Sequence, residues 1–153
     1  IRQEKEASSD PLLLPKEDEN SEKLEMTLNC EPEAVNAASE RVLSFCRKNG
    51  VPDSAGNRIW LSVQELCSNI SRYAYPGQSG SADLFLKITG SEVILRIRDN
   101  GIIFNPAEFK DESGEVITGL KLLRAMKIKL SYNRVLGFNN TIVNIPSGSI
   151  VKT

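Results

Sequence analysis

Histidine is absent from this sequence and cysteine is scarce: of 153 residues none is His and only Cys30, Cys46 and Cys67 are thiols. Without an imidazole the chain can run neither Ser-His-Asp nor Cys-His catalysis, and it cannot carry a phosphorelay on a His of its own. The cysteines form no CxxC pair, so the usual zinc ligand sets cannot assemble and the thiols read as reduced and structural. An excess of either charge is also missing, with 19 Lys and Arg against 20 Asp and Glu. No basic stretch is available to hold a nucleic-acid backbone or an anionic membrane. Nor is there a run approaching the roughly 20 apolar residues that span a bilayer, and the opening IRQEKEASSD is charged where a signal peptide is apolar. A cytoplasmic protein is expected, with neither nucleic acid nor membrane as partner. The first residue is Ile1, which reads as a cut or processed piece of a larger regulatory protein.

What is present is ordinary for a globular chain: 40% apolar and 25% charged residues. A chain of this length buries roughly two-thirds of its unfolded surface, so one core is the default. Residues 1–21 are acidic and polar around a short Pro11-Leu-Leu-Leu-Pro15 run. They bury too little to offset their ordering entropy, and read as a flexible tail or linker whose Leu12 to Leu14 run could dock on a sheet edge or a partner. The domain is expected over 22–147, with 148–153 as a C-terminal tail.

Leu24, Met26 and Leu28 alternate, the pattern of a half-buried strand. Pro32 suits a first helical turn, and Val35, Ala38, Val42 and Phe45 recur at helical spacing up to Gly50. Asp53 or Ser54 reads as the N-cap of a second helix running to about Tyr75, where Pro76-Gly77 breaks it. Leu84, Leu86 and Ile88 alternate, then Val93, Leu95 and Ile97, with Gly90-Ser91 as a hairpin turn. A long loop from Asn100 to about Val116 leads to a short helix at Gly119 to Met126, and a connection of that length is usually functional. Ile128, Leu130 and Tyr132 alternate, as do Thr141, Val143 and Ile145, with Leu136 to Asn140 as the turn between them. This order predicts an α+β fold, a two-layer α/β sandwich in which a mainly antiparallel mixed sheet carries helices on one face.

On the second helix Ile59, Val63, Leu66, Ile70 and Tyr73 form the core stripe. Glu65 and Asn69 stack beside it, because four residues overshoot a full turn by about 40°, and Arg72 extends the row. Alone, these groups are a solvated face with an Asn69 to Arg72 interaction. Downstream, however, Asp99-Asn100-Gly101 ends an apolar strand, and Thr118-Gly119-Leu120 opens a helix whose N–H groups can approach a phosphate.

Together the segments Glu31-Pro-Glu-Ala34, Val63-Gln-Glu65-Leu-Cys-Ser-Asn69-Ile-Ser-Arg72-Tyr-Ala-Tyr75, Asp99-Asn-Gly-Ile-Ile-Phe-Asn-Pro106 and Gly119-Leu-Lys-Leu-Leu123 resemble the GHKL ATPase superfamily. Within it they are most similar to the anti-sigma-factor Ser/Thr kinases, from about residue 24 to 146. The resemblance implies a Bergerat-type ATP-binding fold with ATP and Mg2+ as cofactors. It assigns Glu65 as catalytic base and Asn69 as the magnesium ligand. Arg72, Asp99, Gly101, Gly119, Leu120, Lys121 and Thr141 are assigned to the nucleotide, with Asp99 accepting from the adenine amino group, Gly101 letting the base lie close and Thr141 helping beside it. The implied partners are a sigma factor and a STAS-domain antagonist, phosphorylated on Ser or Thr in a partner-switching pathway, and a second copy in a homodimer.

The chain departs from that pattern at three places. Tyr73 stands where relatives often have His, Ile103 where a Gly or Pro is usual, and Lys121 where the phosphate lid has its second Gly. The last two favour the alternative, a weakened or non-catalytic module acting by protein binding. A sensor histidine kinase domain fits less well, since no phospho-accepting His helix is present, and gyrase-like or chaperone-like ATPases need a transducing domain missing here.

Overall fold

A computed structural model describes residues 21–78, 80–108 and 118–147. Of the expected tails at 1–21 and 148–153, all but Ser21, and with them the Leu12 to Leu14 run, lie outside the described residues. The chain runs β1 (Glu22–Asn29), α1 (Pro32–Lys48), α2 (Asp53–Asn69), a π-helical turn (Ile70–Ala74), β2 (Ser81–Ile88), β3 (Glu92–Asp99), α3 (Thr118–Ala125), β4 (Lys129–Val135) and β5 (Phe138–Pro146). The five strands make one sheet in the order β1-β2-β3-β5-β4. Every pairing is antiparallel, so the sheet has no parallel member among the described strands. No described helix is long and apolar enough to cross a membrane.

Alternation decides which side of the sheet is dry. Leu84, Leu86, Ile88, Val93, Leu95, Ile97, Val143 and Ile145 face one way, and all are buried. Against them lie Val35, Ala38, Val42 and Cys46 of α1 and Ala55, Ile59, Val63, Leu66 and Ile70 of α2. Each Val, Leu or Ile among them contributes about 1.5–3 kcal/mol by leaving water. On the solvent side the two helices are joined by Gln64 Nε2 donating to Asn36 Oδ1 (2.7 Å) and Trp60 Nε1 donating to Glu40 Oε2 (3.0 Å).

Three local expectations are corrected. The N-cap of α2 is Pro52, whose carbonyl accepts the Gly56 N–H (2.9 Å); Asp53 is already helical and its carboxylate meets exposed Arg47. The second helix does not run as one α-helix to Tyr75, because from Ile70 to Ala74 it widens into a π turn. Such turns cluster at functional sites. Here the turn delivers the Ala74 carbonyl to the Ile102 N–H, 2.9 Å away. Finally, the turn between β4 and β5 is only Leu136-Gly137, both at positive φ (52° and 83°), which is the backbone of a two-residue hairpin. Phe138, Asn139 and Asn140 belong to the strand.

Two stability tests follow from these contacts. Leu136 is 92% exposed in a left-handed conformation, where a leucine Cβ costs about 1–2 kcal/mol. Leu136→Asn is expected to raise the thermal midpoint by roughly 3 °C, and an unchanged or lower midpoint contradicts the strain. At Gly101 an added Cβ would fall 2.4 Å from the Ala74 carbonyl, whereas at Gly90 it would meet nothing within 4 Å. Gly101→Ala is expected to cost about 2 kcal/mol and Gly90→Ala under about 1 kcal/mol, measured by denaturant unfolding.

Candidate functional site

The last two turns of α2 carry the first part of the site. Asn69 is only 6% exposed, and its Nδ2 donates to the Glu65 backbone carbonyl at 2.7 Å. That bond fixes the amide so that Oδ1 is the free end. Oδ1 accepts no hydrogen bond among the described residues, yet it is not sealed: the only described side-chain polar atoms both sealed and unpartnered are Arg98 Nε and Ser147 Oγ. One turn earlier, half-buried Glu65 leaves its carboxylate with no hydrogen bond or ion pair among the described residues. Two oxygen acceptors, one of them a carboxylate, therefore stand on neighbouring turns without partners among the described residues. This is a setting for a hard cation or a hydroxyl proton.

The Asn69 to Arg72 interaction of a plain solvated face is not formed. Arg72 instead places its guanidinium 5.9 Å from the centre of the Tyr73 ring. It also lines a cavity of about 380 Å³ with Cys30, Pro32, Val35, Asn36, Gln64, Ser68 and Ser71, on the flank of α2 facing α1 and away from Glu65 and Asn69. The expected single row of Glu65, Asn69 and Arg72 is thus split, because the π turn changes the angular step after Asn69. Tyr73 stacks on buried Phe104, with centroids 5.6 Å apart and rings 24° from parallel. Tyr73 thereby packs the end of the second helix against the loop that follows β3.

The second part is the end of β3. Asp99 lies opposite Asn139 in the β3–β5 ladder and is 4% exposed. Its Oδ1 accepts from the Gly101 N–H (2.8 Å) and from Asn139 Nδ2 (3.0 Å). Its Oδ2 accepts nothing among the described residues and is not sealed. Burial pushes the Asp99 carboxyl above its usual value, and the bonds from Asn139 and Gly101 with the charge of Arg134 only partly offset this. Thr141, also buried, follows Asn139 on the same inward face. Tyr75 closes the turn, its hydroxyl donating to Asn100 Oδ1 (2.7 Å) and accepting from the Asn100 N–H (3.1 Å).

The two parts meet because the Ala74 carbonyl, five residues beyond Asn69, rests on Gly101 and Ile102 just beyond Asp99. The close backbone approach at Gly101 is therefore made to the π turn. The third part is α3, with Gly119 and Leu120 in its first turn; only the backbone of residues 118–120 is described. Leu123 is buried and anchors the helix, Lys121 and Leu122 are exposed, and the Arg124 guanidinium donates to the Ala107 carbonyl. The loop and α3 are thereby tied together beside the end of β3.

The cysteines behave as expected of structural thiols. All three are free and buried. Burial pushes Cys46 up to about 11, and hydrogen bonding with Cys30 together with burial raises Cys67. No group of three or more Cys, Asp or Glu that could hold a metal occurs among the described residues.

Sequence reasoning missed Asn139, Tyr132 and Arg134 as parts of this site. The signal lay in alternation: Asn139 continues the Thr141, Val143, Ile145 row by one more step toward the hairpin.

Comparison with known proteins agrees with this fold. Residues 28–142 match the model of the histidine kinase-like ATPase domain. The serine/threonine-protein kinase BtrW of Bordetella bronchiseptica is 33% identical over 91 residues, covering 54% of this chain and 64% of that protein. The chain thus spans somewhat less than two-thirds of that relative. Among solved structures, the RsbU and RsbW domains of Rv1364c from Mycobacterium tuberculosis superpose with a TM-score of 0.56 at 14% identity, covering 86% of this chain and 35% of that one. The histidine kinase domain of the Erythrobacter litoralis EL346 blue-light activated kinase gives 0.51 at 20% identity, covering 74% and 61%. At those identities the superpositions speak for the fold alone, and it is the family match across three-quarters of the chain, laid over Glu65, Asn69 and Asp99, that decides membership: the chain belongs to the histidine kinase-like ATPase family.

Proposed function

We propose that this chain binds ATP with Mg2+ and acts as an anti-sigma-factor Ser/Thr protein kinase, transferring the γ-phosphoryl group to a hydroxyl of a STAS-domain antagonist. The observation that carries the reading is the pairing of unpartnered acceptors, Glu65 and Asn69 Oδ1 on α2 and Asp99 Oδ2 at the end of β3, joined by the π turn. Likeness to a Ser/Thr kinase, BtrW, supports the reaction class.

Each residue has a task set by its chemistry. Asp99 Oδ2 is an acceptor suited to the exocyclic amino group of adenine. Asn69 Oδ1, oriented by its bond to the Glu65 carbonyl, is a neutral oxygen ligand for the cation. Magnesium, when bound, neutralises charge on the phosphate oxygens. Glu65 accepts the proton of the attacking Ser or Thr hydroxyl, and the N–H groups opening α3 at Gly119 and Leu120 face phosphate. Lys121, exposed at that end, adds positive charge. A sigma factor, sequestered until the antagonist displaces it, and a second copy of the chain complete the partner-switching scheme. A second reading, a non-catalytic module acting by protein binding, is favoured by the 71% exposure of Ile103 on the adenine-side loop.

Three measurements test the assignment. At a hundredfold excess over its dissociation constant, Mg-ATP is expected to stabilise the protein by about 2.7 kcal/mol, and Asn69→Ala to lose that gain; no stabilisation of the unmodified protein refutes nucleotide binding. Glu65→Gln is expected to keep ATP-dependent stabilisation while phosphate transfer to a STAS partner falls by about 10²–10⁴-fold. Equal transfer by both proteins removes Glu65 from its role, and no transfer by either favours the non-catalytic module. Asp99→Asn is expected to abolish ATP stabilisation yet raise the stability of the nucleotide-free protein at neutral pH. The carboxyl titrates higher folded than unfolded, so ionisation costs stability as pH rises through and above its ordinary range near 3.8. The advantage of the Asn variant should therefore shrink as the pH is lowered through that range, and a constant advantage contradicts the assignment.

A further inference from the structure

We infer that Asn139 is the positioning residue for base selection: it holds Asp99 so that one carboxylate oxygen, Oδ2, is presented as an acceptor for the amino group of adenine. This rests on the nucleotide reading above and assigns a residue that reading does not use.

Asn139 is 1% exposed, and every hydrogen-bonding valence of its amide is occupied. Nδ2 donates to Asp99 Oδ1 (3.0 Å) and to the Ile102 carbonyl (2.8 Å). Oδ1 accepts from Arg134 Nη1 (2.9 Å), from the Phe104 N–H (3.3 Å) and from the Tyr132 hydroxyl. The pattern permits one amide orientation only, since a flipped amide would turn its NH2 toward three donors and its oxygen toward a carboxylate. Arg134 Nη1 also donates to the Gly101 carbonyl (3.1 Å), bracing the same turn from the β4 side.

The consequence falls on Asp99. A terminal carboxylate torsion is broad and turns easily between its two faces. Two donors, Gly101 N–H and Asn139 Nδ2, converge on Oδ1 and hold that torsion, so Oδ2 is left as the open acceptor. A base with a 6-amino group donates to Oδ2, and a 6-oxo base sets oxygen against oxygen. A buried amide that served only packing would affect both bases alike. One that orients the acceptor changes the ratio between them.

The test is binding of Mg-ATP and Mg-ITP by the full chain, by calorimetry, in the unmodified protein and in Asn139→Ala, Tyr132→Phe and Arg134→Gln. The unmodified protein is expected to prefer ATP. Asn139→Ala is expected to lower the ATP to ITP affinity ratio by about tenfold, chiefly through weaker ATP binding. Tyr132→Phe, which keeps Nδ2 on Asp99, should hold the ratio within about twofold. Arg134 is exposed, so Arg134→Gln should fold even where Asn139→Ala does not; it is expected to lower the ratio by about threefold. A variant set that binds ATP with an unaltered ratio, or loses both nucleotides equally, overturns the role of Asn139 and leaves the site standing. An unmodified protein that binds neither nucleotide overturns both.

Discussion

The Ala74 carbonyl accepts the Ile102 N–H at 2.9 Å, and across this bond the end of the second helix meets the end of the third strand. An α-helix continued without change would point its last carbonyls elsewhere along its axis. The π turn over Ile70–Ala74 supplies the altered direction, and Gly101, with no Cβ to collide with that carbonyl, supplies the room. The junction links the helix that carries Glu65 and Asn69 to the strand that ends at Asp99.

Around the junction polar groups are divided into committed and open ones. Asp99 Oδ1 is committed to Gly101 and Asn139, Asn69 Nδ2 to the Glu65 carbonyl, and the whole Asn139 amide to its surroundings. Among the described residues the uncommitted ends here are Asp99 Oδ2, Asn69 Oδ1 and the Glu65 carboxylate. Because an unpaired polar group is costly when sealed from water, open acceptors persist only at a surface or cleft. Their grouping is what separates this region from the helix face around Trp60 and Gln64, where side chains satisfy one another. The raised titration of Asp99 follows from its burial, which disfavours the charged form more than the bonds from Asn139 and Gly101 favour it.

Much of the architecture was legible in advance. The alternation of Leu84, Leu86, Ile88 and Val93, Leu95, Ile97 and the helical stripe Ile59, Val63, Leu66, Ile70 are core in the structure, since burial of one face imposes its period on the sequence. Glu65, Asn69 and Asp99 were singled out together by their order along the chain, which carries the family resemblance. Asn139 was not, because Leu136-Gly-Phe-Asn-Asn140 has the composition of a loop. Leucine is an unusual tenant of a left-handed position, so a two-residue turn at Leu136-Gly137 was not the expected reading. Moving the turn by three residues turned Asn139 from a solvated loop amide into the partner of Asp99.

By itself the sequence determined periods, and with them the number and kind of elements, the inward faces, and the absence of imidazole chemistry. These are local properties, written in residues three, four or two apart. Only the tertiary structure decided which oxygen of Asp99 is free, that Arg72 departs from the row of Glu65 and Asn69, and that Asn139, 40 residues beyond Asp99, faces it across the ladder. Those outcomes depend on strand register and on one widened helical turn, where a shift of a single residue or a fraction of a turn redirects a side chain, and no short-range pattern encodes so fine a setting.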